Sequence, residues 1–188
     1  MEKSALVSAW LLEHGKTTQA EAARALGVSL STVNRTVKTL EAMGAVKIGR
    51  RSLRVTDAEK VLMHLANERK PFAYLVYRTR ATGNTGEIEG GMPAGAEFTA
   101  YSAFKRRFGN APADYSEVYV YADEETLEEI RRRFPPRAGP PNLFVLRKEA
   151  KTVVSNALVF ADLWNLREWY SKDFVRDLRD RILERSAD

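Results

Sequence analysis

Ser31, Thr32, Asn34, Arg35 and Lys38 lie close together in the segment SLSTVNRTVKTLEAM, directly after Ser29. Short hydroxyl and amide groups suit the edges of nucleobases, and guanidinium and ammonium groups suit phosphates. A second set of cations follows in AVKIGRRSLRV: Lys47, Arg50, Arg51 and Arg54. Each residue also has a plainer reading. Arg35 and Lys38 fit a solvated helix face, Arg50 and Arg51 fit ordinary turn charges, and Ser29 fits a helix cap better than a base contact. Ser31, Thr32 and Asn34 fit simple exposure.

Other chemistry finds little support. The chain has no cysteine, which removes disulfides, thiol catalysis and thiolate metal sites. His14 and His64 are too few for a zinc site. Thr82, Gly83, Asn84, Thr85 and Gly86 suggest an anion-cradling loop, but no P-loop pattern is present, and a flexible connection is expected there. Asp123, Glu124, Glu128 and Asp162 are the acids available for metal-assisted chemistry. None is paired in sequence with a nucleophile or a histidine base. Asp162 sits among apolar residues, so a buried, hydrogen-bonded structural role is expected. The expectation is a non-enzyme with no cofactor and no bound metal.

The candidate residues need elements to hold them. Leu6, Val7, Trp10 and Leu11 recur at helical spacing and predict a helix over residues 3–13, ended by Gly15. Thr17 or Thr18 caps a second helix, residues 19–26, which turns Ala22, Ala23 and Leu26 inward. Gly27, Val28 and Ser29 read as turn, core plug and cap. A third helix over residues 30–43 buries Val33, Val37, Leu40 and Met43 and leaves the polar set on its opposite side. Val46 and Ile48, then Leu53 and Val55, alternate as in strands, with Gly49 at the turn of a cationic hairpin. Thr56 caps a fourth helix, residues 57–68, with Val61, Leu62 and Leu65 inward. Lys70 and Pro71 mark a domain boundary.

Beyond it, residues 72–80 predict a strand, 81–95 a loop holding five glycines and a proline, and 97–108 a helix. An alternating strand is expected over 117–122, and a helix capped by Asp123 over 124–133. Arg131, Arg132 and Arg133 at its C-terminal end suit the helix dipole. A short strand at 143–146 and helices near 157–164 and 171–186 complete the chain. Residues 71–188 thus read as one α+β domain, without long βαβ crossovers, with helices on one side of a small mixed or antiparallel sheet.

The charge is unevenly placed. Lys and Arg total 30 against 25 Asp and Glu, a net charge of +5 that falls within residues 1–70. That asymmetry points to a polyanionic partner for the N-terminal third alone. Without a membrane-length apolar run or a convincing signal peptide, the expected location is cytoplasmic, with no membrane partner.

The order of helix, turn, helix and basic hairpin over residues 3–56 resembles the winged helix-turn-helix transcription regulators. The resemblance rests on Ala22-Ala23-Arg24-Ala25-Leu26-Gly27-Val28-Ser29, Ser31-Thr32-Val33, Leu40-Glu41 and Gly44-Ala45-Val46. It implies binding of double-stranded DNA through Ser29, Ser31, Thr32, Asn34, Arg35, Lys38, Lys47, Arg50, Arg51 and Arg54. The whole chain also resembles the AbiEi family of type IV antitoxins, through Phe98-Thr99-Ala100-Tyr101-Ser102-Ala103 and Ala161-Asp162-Leu163. The glycine-rich step expected after Leu163 is replaced by Trp164-Asn165-Leu166. This second resemblance implies a repressor of its own operon that opposes a nucleotidyltransferase toxin functionally rather than in a stable complex. A homodimer is a further option. Two other readings stay open: a one-component regulator sensing a small ligand through its C-terminal domain, and a nucleic-acid-processing enzyme with a winged helix as docking module.

Overall fold

The computed structural model describes residues 3–50, 52–149 and 153–187, without the side chains of residues 186 and 187. The chain divides into two units, Met1–Arg69 with Lys151–Ala161 and Leu178–Asp188, and Lys70–Ala150 with Asp162–Asp177. Local sequence patterns assign all of residues 71–188 to the second domain. Two C-terminal stretches instead group with the first unit, which local periodicity could not show.

The first unit begins with α1 (Lys3–His14), which buries Ala5, Val7, Ala9 and Leu11. Of the predicted stripe, Leu6 and Trp10 are only partly buried. A short strand β1 (Lys16–Thr17) follows, too brief for periodicity to reveal. Thr18 caps α2 (Gln19–Leu26) in a reciprocal box with Glu21: the Thr18 hydroxyl accepts from the Glu21 N–H, and the Glu21 carboxylate accepts from the Thr18 N–H. Gly27 then takes φ +61°, a left-handed conformation that closes the helix without a Cβ clash.

Helix α3 (Leu30–Ala42) starts at the Ser29 cap and buries Val33, Val37 and Leu40. Met43 lies past its end and is 38% exposed, not in the core as expected. Strands β2 (Val46–Ile48) and β3 (Leu53–Val55) form the predicted hairpin. The Gly49 N–H donates to the Ser52 carbonyl at 2.8 Å, and a Cβ on Gly49 would stand 2.7 Å from Ser52 Oγ, so a larger residue there would require the Ser52 hydroxyl to rotate away. Strand β1 joins β3 on its other side, giving the order β1-β3-β2. Helix α4 (Ala58–Glu68) is capped by Asp57 rather than Thr56, whose hydroxyl donates to the Gly44 carbonyl instead. Val7, Leu11, Ala22, Val33, Val37, Leu40, Leu53 and Val61 form one closed apolar cluster under these elements.

The second unit opens with a 3-10 turn at Pro71–Tyr74, where a strand was expected. Proline at its first position presets φ for a turn and delays strand β4 to Leu75–Thr79. Residues 81–95 contain a short helix, α5 (Thr85–Gly90), not only a loop. An Asn84–Glu87 capping box supports it. The expected helix over 97–108 splits into β5 (Glu97–Thr99) and α6 (Ala100–Phe108), with the change of direction at Ala100, φ +50°. Strand β6 (Val118–Ala122), helix α7 (Glu124–Arg133) and strand β7 (Leu143–Arg147) follow.

The sheet order is β4-β7-β6-β5, with antiparallel outer pairs around a parallel β6–β7 pair. This is an α+β unit, as expected. However, α7 makes a βαβ crossover that the sequence reading excluded. Val118, Val120 and Val145 pack with Ile88 of α5 and with Leu127 and Ile130 of α7 on one face. Tyr119 and Tyr121 project from the other face, where the Tyr101 ring of α6 meets Tyr119. Helices therefore cover both faces rather than one, and all of β6 is buried. Aromatic residues alternating with valine mark two apolar faces here, not one wet and one dry. Helices α8 (Asn156–Trp164) and α9 (Ser171–Ala187) each supply residues to both units. No helix among the described residues is long and apolar enough to cross a membrane.

Candidate nucleic-acid interface

Helix α3 places the predicted set unevenly. Val33, Val37 and Leu40 fix its inner side at zero exposure. Ser31, Arg35 and Lys38, at spacings of four and three, therefore share the outer stripe, and all are exposed. Ser29 is the N-cap: its Oγ accepts from the Thr32 N–H at 3.2 Å and lies 2.9 Å from the hydroxyls of both Ser31 and Thr32. A cap of this kind contributes about 1 kcal/mol and fixes where α3 begins.

Thr32 differs from expectation. It is buried, because its position on the helix turns inward beside Val33 and Thr36. Asn34 is partly buried, and its side-chain amide donates to Gln19 Oε1 on α2 at 3.1 Å. Its first task is therefore to set the angle between two helices. Leu30, at the start of α3, is 54% exposed beside Ser29 and Ser31. An exposed leucine there suits contact with a thymine methyl group. On sequence alone Leu30 is only the first residue of the helix.

The hairpin carries the second set. Lys47 and Arg54 are direct cross-strand partners on β2 and β3, and both are exposed. Arg50 is exposed in the turn, and Arg51 lies outside the described residues. Like charges placed opposite one another destabilise a hairpin slightly. No carboxylate among the described residues forms an ion pair with Arg35, Lys38, Lys47, Arg50 or Arg54. Other cations of the same unit are neutralised: Lys60 by Asp57 at 3.5 Å, Arg179 by Glu59 at 3.7 Å, and Arg185 by Glu13 at 2.8 Å. Five of the unpaired cations thus lie on α3 and the hairpin; Lys3, Lys16 and Arg24, on α1, β1 and α2, also have no ion pair among the described residues. Arg35 also borders a cleft of about 440 Å³ lined by Lys3, Ser4 and Thr39 and by the His64–Glu68 pair.

The cap, tight turn and exposed polar helix of this assembly have a counterpart among known proteins. Residues 11–47 match the family model described as winged helix-turn-helix DNA-binding. No curated protein and no solved structure matches the chain. The N-terminal unit therefore contains a winged helix-turn-helix DNA-binding domain, in which α3 is the recognition helix and β2–β3 the wing. The match ends within β2, and the structure supplies the returning strand of the wing.

Three of the four candidate acids have structural partners, and the fourth, Glu124, is exposed in the first turn of α7. Asp123 caps α7 by accepting from the Thr126 N–H at 2.9 Å, and hydrogen bonding from the Thr126 side chain and then from this N–H holds its carboxyl below the usual carboxylate range. Glu128 pairs with Arg131. Asp162, 1% exposed, accepts from Thr99 Oγ1 at 2.7 Å and from the Tyr121 hydroxyl at 2.6 Å. Nearby, Glu168 accepts from the hydroxyls of both Tyr101 and Tyr119. Among the described residues, no group of three or more histidine or carboxylate side chains is placed to hold a metal ion. Lys105 and Arg106 stand near aromatic faces, Lys105 over Tyr115 and Arg106 over Phe98.

Proposed function

We propose that the protein is a sequence-specific transcription regulator, an AbiEi-like antitoxin that represses its own operon and counteracts a nucleotidyltransferase toxin. It acts by binding rather than by catalysis. The observation that carries the DNA-binding part is the set of exposed cations on the recognition helix and wing that no carboxylate among the described residues neutralises, while Lys60, Arg179 and Arg185 of the same unit are paired. Duplex DNA supplies the missing counter-charge, because each phosphate contact releases a condensed cation. Ser31 and Leu30 lie on the same helix end, where base edges come within reach in a major groove.

The antitoxin part is supported by the second unit. The two segments that carry the family resemblance, Phe98–Ala103 and Ala161–Leu163, meet at the buried Thr99–Asp162 hydrogen bond. A motif shared across a family is expected to sit where distant segments must be joined. Of the acids that would serve an enzyme, Asp123 is engaged in capping, Glu128 in an ion pair and Asp162 in this hydrogen-bond cluster, which favours a binding role.

Selective capture of genomic fragments by the purified full chain tests the proposal. The expected result is enrichment of the fragment upstream of its own gene, with a nucleotidyltransferase gene next to it. Uniform recovery of all fragments would contradict a sequence-specific regulator. An adjacent gene of unrelated chemistry would contradict the antitoxin role alone.

A further inference from the structure

Strand register sets three cations in one row. Lys16 on β1 is the partner of Arg54 on β3, and Lys47 on β2 is its partner on the other side. All three are exposed, while the neighbouring row of Thr17, Leu53 and Ile48 turns toward the core. Adjacent strands lie about 4.8 Å apart, so the row is about 10 Å long. Charges of one sign so placed repel, and the fold gains nothing from them.

No carboxylate among the described residues forms an ion pair with Lys16, Arg54 or Lys47. Lys16 and Arg54 line a cleft of about 360 Å³ together with His14, Glu13 and Arg185. The acid among them, Glu13, is taken by Arg185 at 2.8 Å. The row is left with positive charge, open to solvent, and continuous with the wing turn that carries Arg50.

We propose that the exposed face of the β1-β3-β2 sheet is a second phosphate-contacting surface for duplex DNA, with Lys16 as a contact beyond the recognition helix and wing. The inference rests on the DNA-binding reading above and extends its footprint to a strand that precedes both. A linear, open row favours a polyanion over an enclosed small ligand. A duplex presents about one charge per 1.7 Å of its axis, enough to engage all three cations along one backbone. Lys16 has no role that local sequence reveals, because only the pairing of β1 with β3 places it beside Arg54.

The test is the salt dependence of binding to a labelled duplex about three helical turns long, between about 50 and 200 mM salt. The full chain is compared with Lys16→Ala, Lys16→Arg and Arg35→Ala. Lys16→Ala is expected to lower the log–log slope by about 0.9, and Lys16→Arg to keep it. Thermal unfolding of Lys16→Ala should occur no earlier than in the parent, since a repulsion has been removed. If Arg35→Ala lowers the slope and Lys16→Ala does not, the second surface is refuted and the DNA-binding reading stands. If neither variant changes the slope, both fail. Sodium pyrophosphate bound by the parent and not by Lys16→Ala, with the duplex slope unchanged, would assign the row to a free phosphorylated ligand and overturn the duplex assignment.

Discussion

The side-chain amide of Asn34 donates a hydrogen bond to the Gln19 amide oxygen, 3.1 Å away, and ties the recognition helix to α2. The bond joins the two helices on either side of the Gly27 turn, so it sets how far α3 projects. Asn34→Ala and Gln19→Ala are each expected to cost about 1 kcal/mol or less. A double-mutant cycle by urea unfolding should show that most of this cost is shared. Fully additive losses would mean that the bond does not persist in solution.

Gly27 holds φ +61° at the end of α2, where its N–H reaches the carbonyls of Ala23 and Arg24. An L-residue there costs roughly 1–2 kcal/mol. Gly27→Ala should lower the unfolding midpoint by that amount, while leaving the salt slope of DNA binding unchanged in the folded fraction. An unaltered midpoint would show that the turn can adopt another conformation.

Asp162 joins three elements of the second unit by accepting from Thr99 and Tyr121. Both donors are almost fully buried, at 0% and 1% exposure. Asp162→Ala removes the acceptor of both hydroxyls, at about 1–3 kcal/mol each. Asp162→Asn keeps an acceptor oxygen and should cost less. Equal stability of the two variants in urea would contradict the bracing role.

Burial and the neighbouring carboxylates push several tyrosine hydroxyls upward. Desolvation, then the hydrogen bond to Glu117, raises Tyr170 to about 12. Desolvation and Glu168 raise Tyr101 and Tyr119 further still. In the unfolded chain these groups ionise near pH 10. The folded state therefore retains more protons above that point, and stability is full below about pH 10 and falls as pH rises through 12. Near-ultraviolet titration should show delayed tyrosinate formation, coincident with unfolding. Reversible ionisation near pH 10 in the folded protein would contradict it.

The N-terminal elements were legible because each carries a local signal. Gly27 and Ser29 encode a turn and a cap, and Val33, Val37 and Leu40 encode a buried stripe. The cationic faces of α3 and the hairpin followed directly. What failed depended on contacts distant in sequence. The burial of Thr32 and the Asn34–Gln19 bond reflect packing against neighbours rather than helical period. Lys16 joined the charged row only through pairing with β3.

In the second unit the errors have a common source. Glu97–Thr99 is too short to show a strand period, and its pairing with β6 removes these three residues from a helix that the following residues keep. The valine–tyrosine alternation of β6 concealed a second covered face. Asp162 was correctly expected to be buried and hydrogen-bonded, because an acid within Leu158–Leu163 has no route to water on an apolar helix. Its partners, Thr99 and Tyr121, lie too far away in sequence to be read.

The most direct measurement compares the salt slope of duplex binding in the parent chain with that of Arg35→Ala, Lys38→Ala and Arg50→Ala, by fluorescence anisotropy. If the free cations of the recognition helix and wing lie against phosphates, each substitution lowers the slope by about 0.9 and weakens binding. A parent chain that does not bind duplex DNA, or three variants with the parent's slope and affinity, would contradict the assignment of this surface.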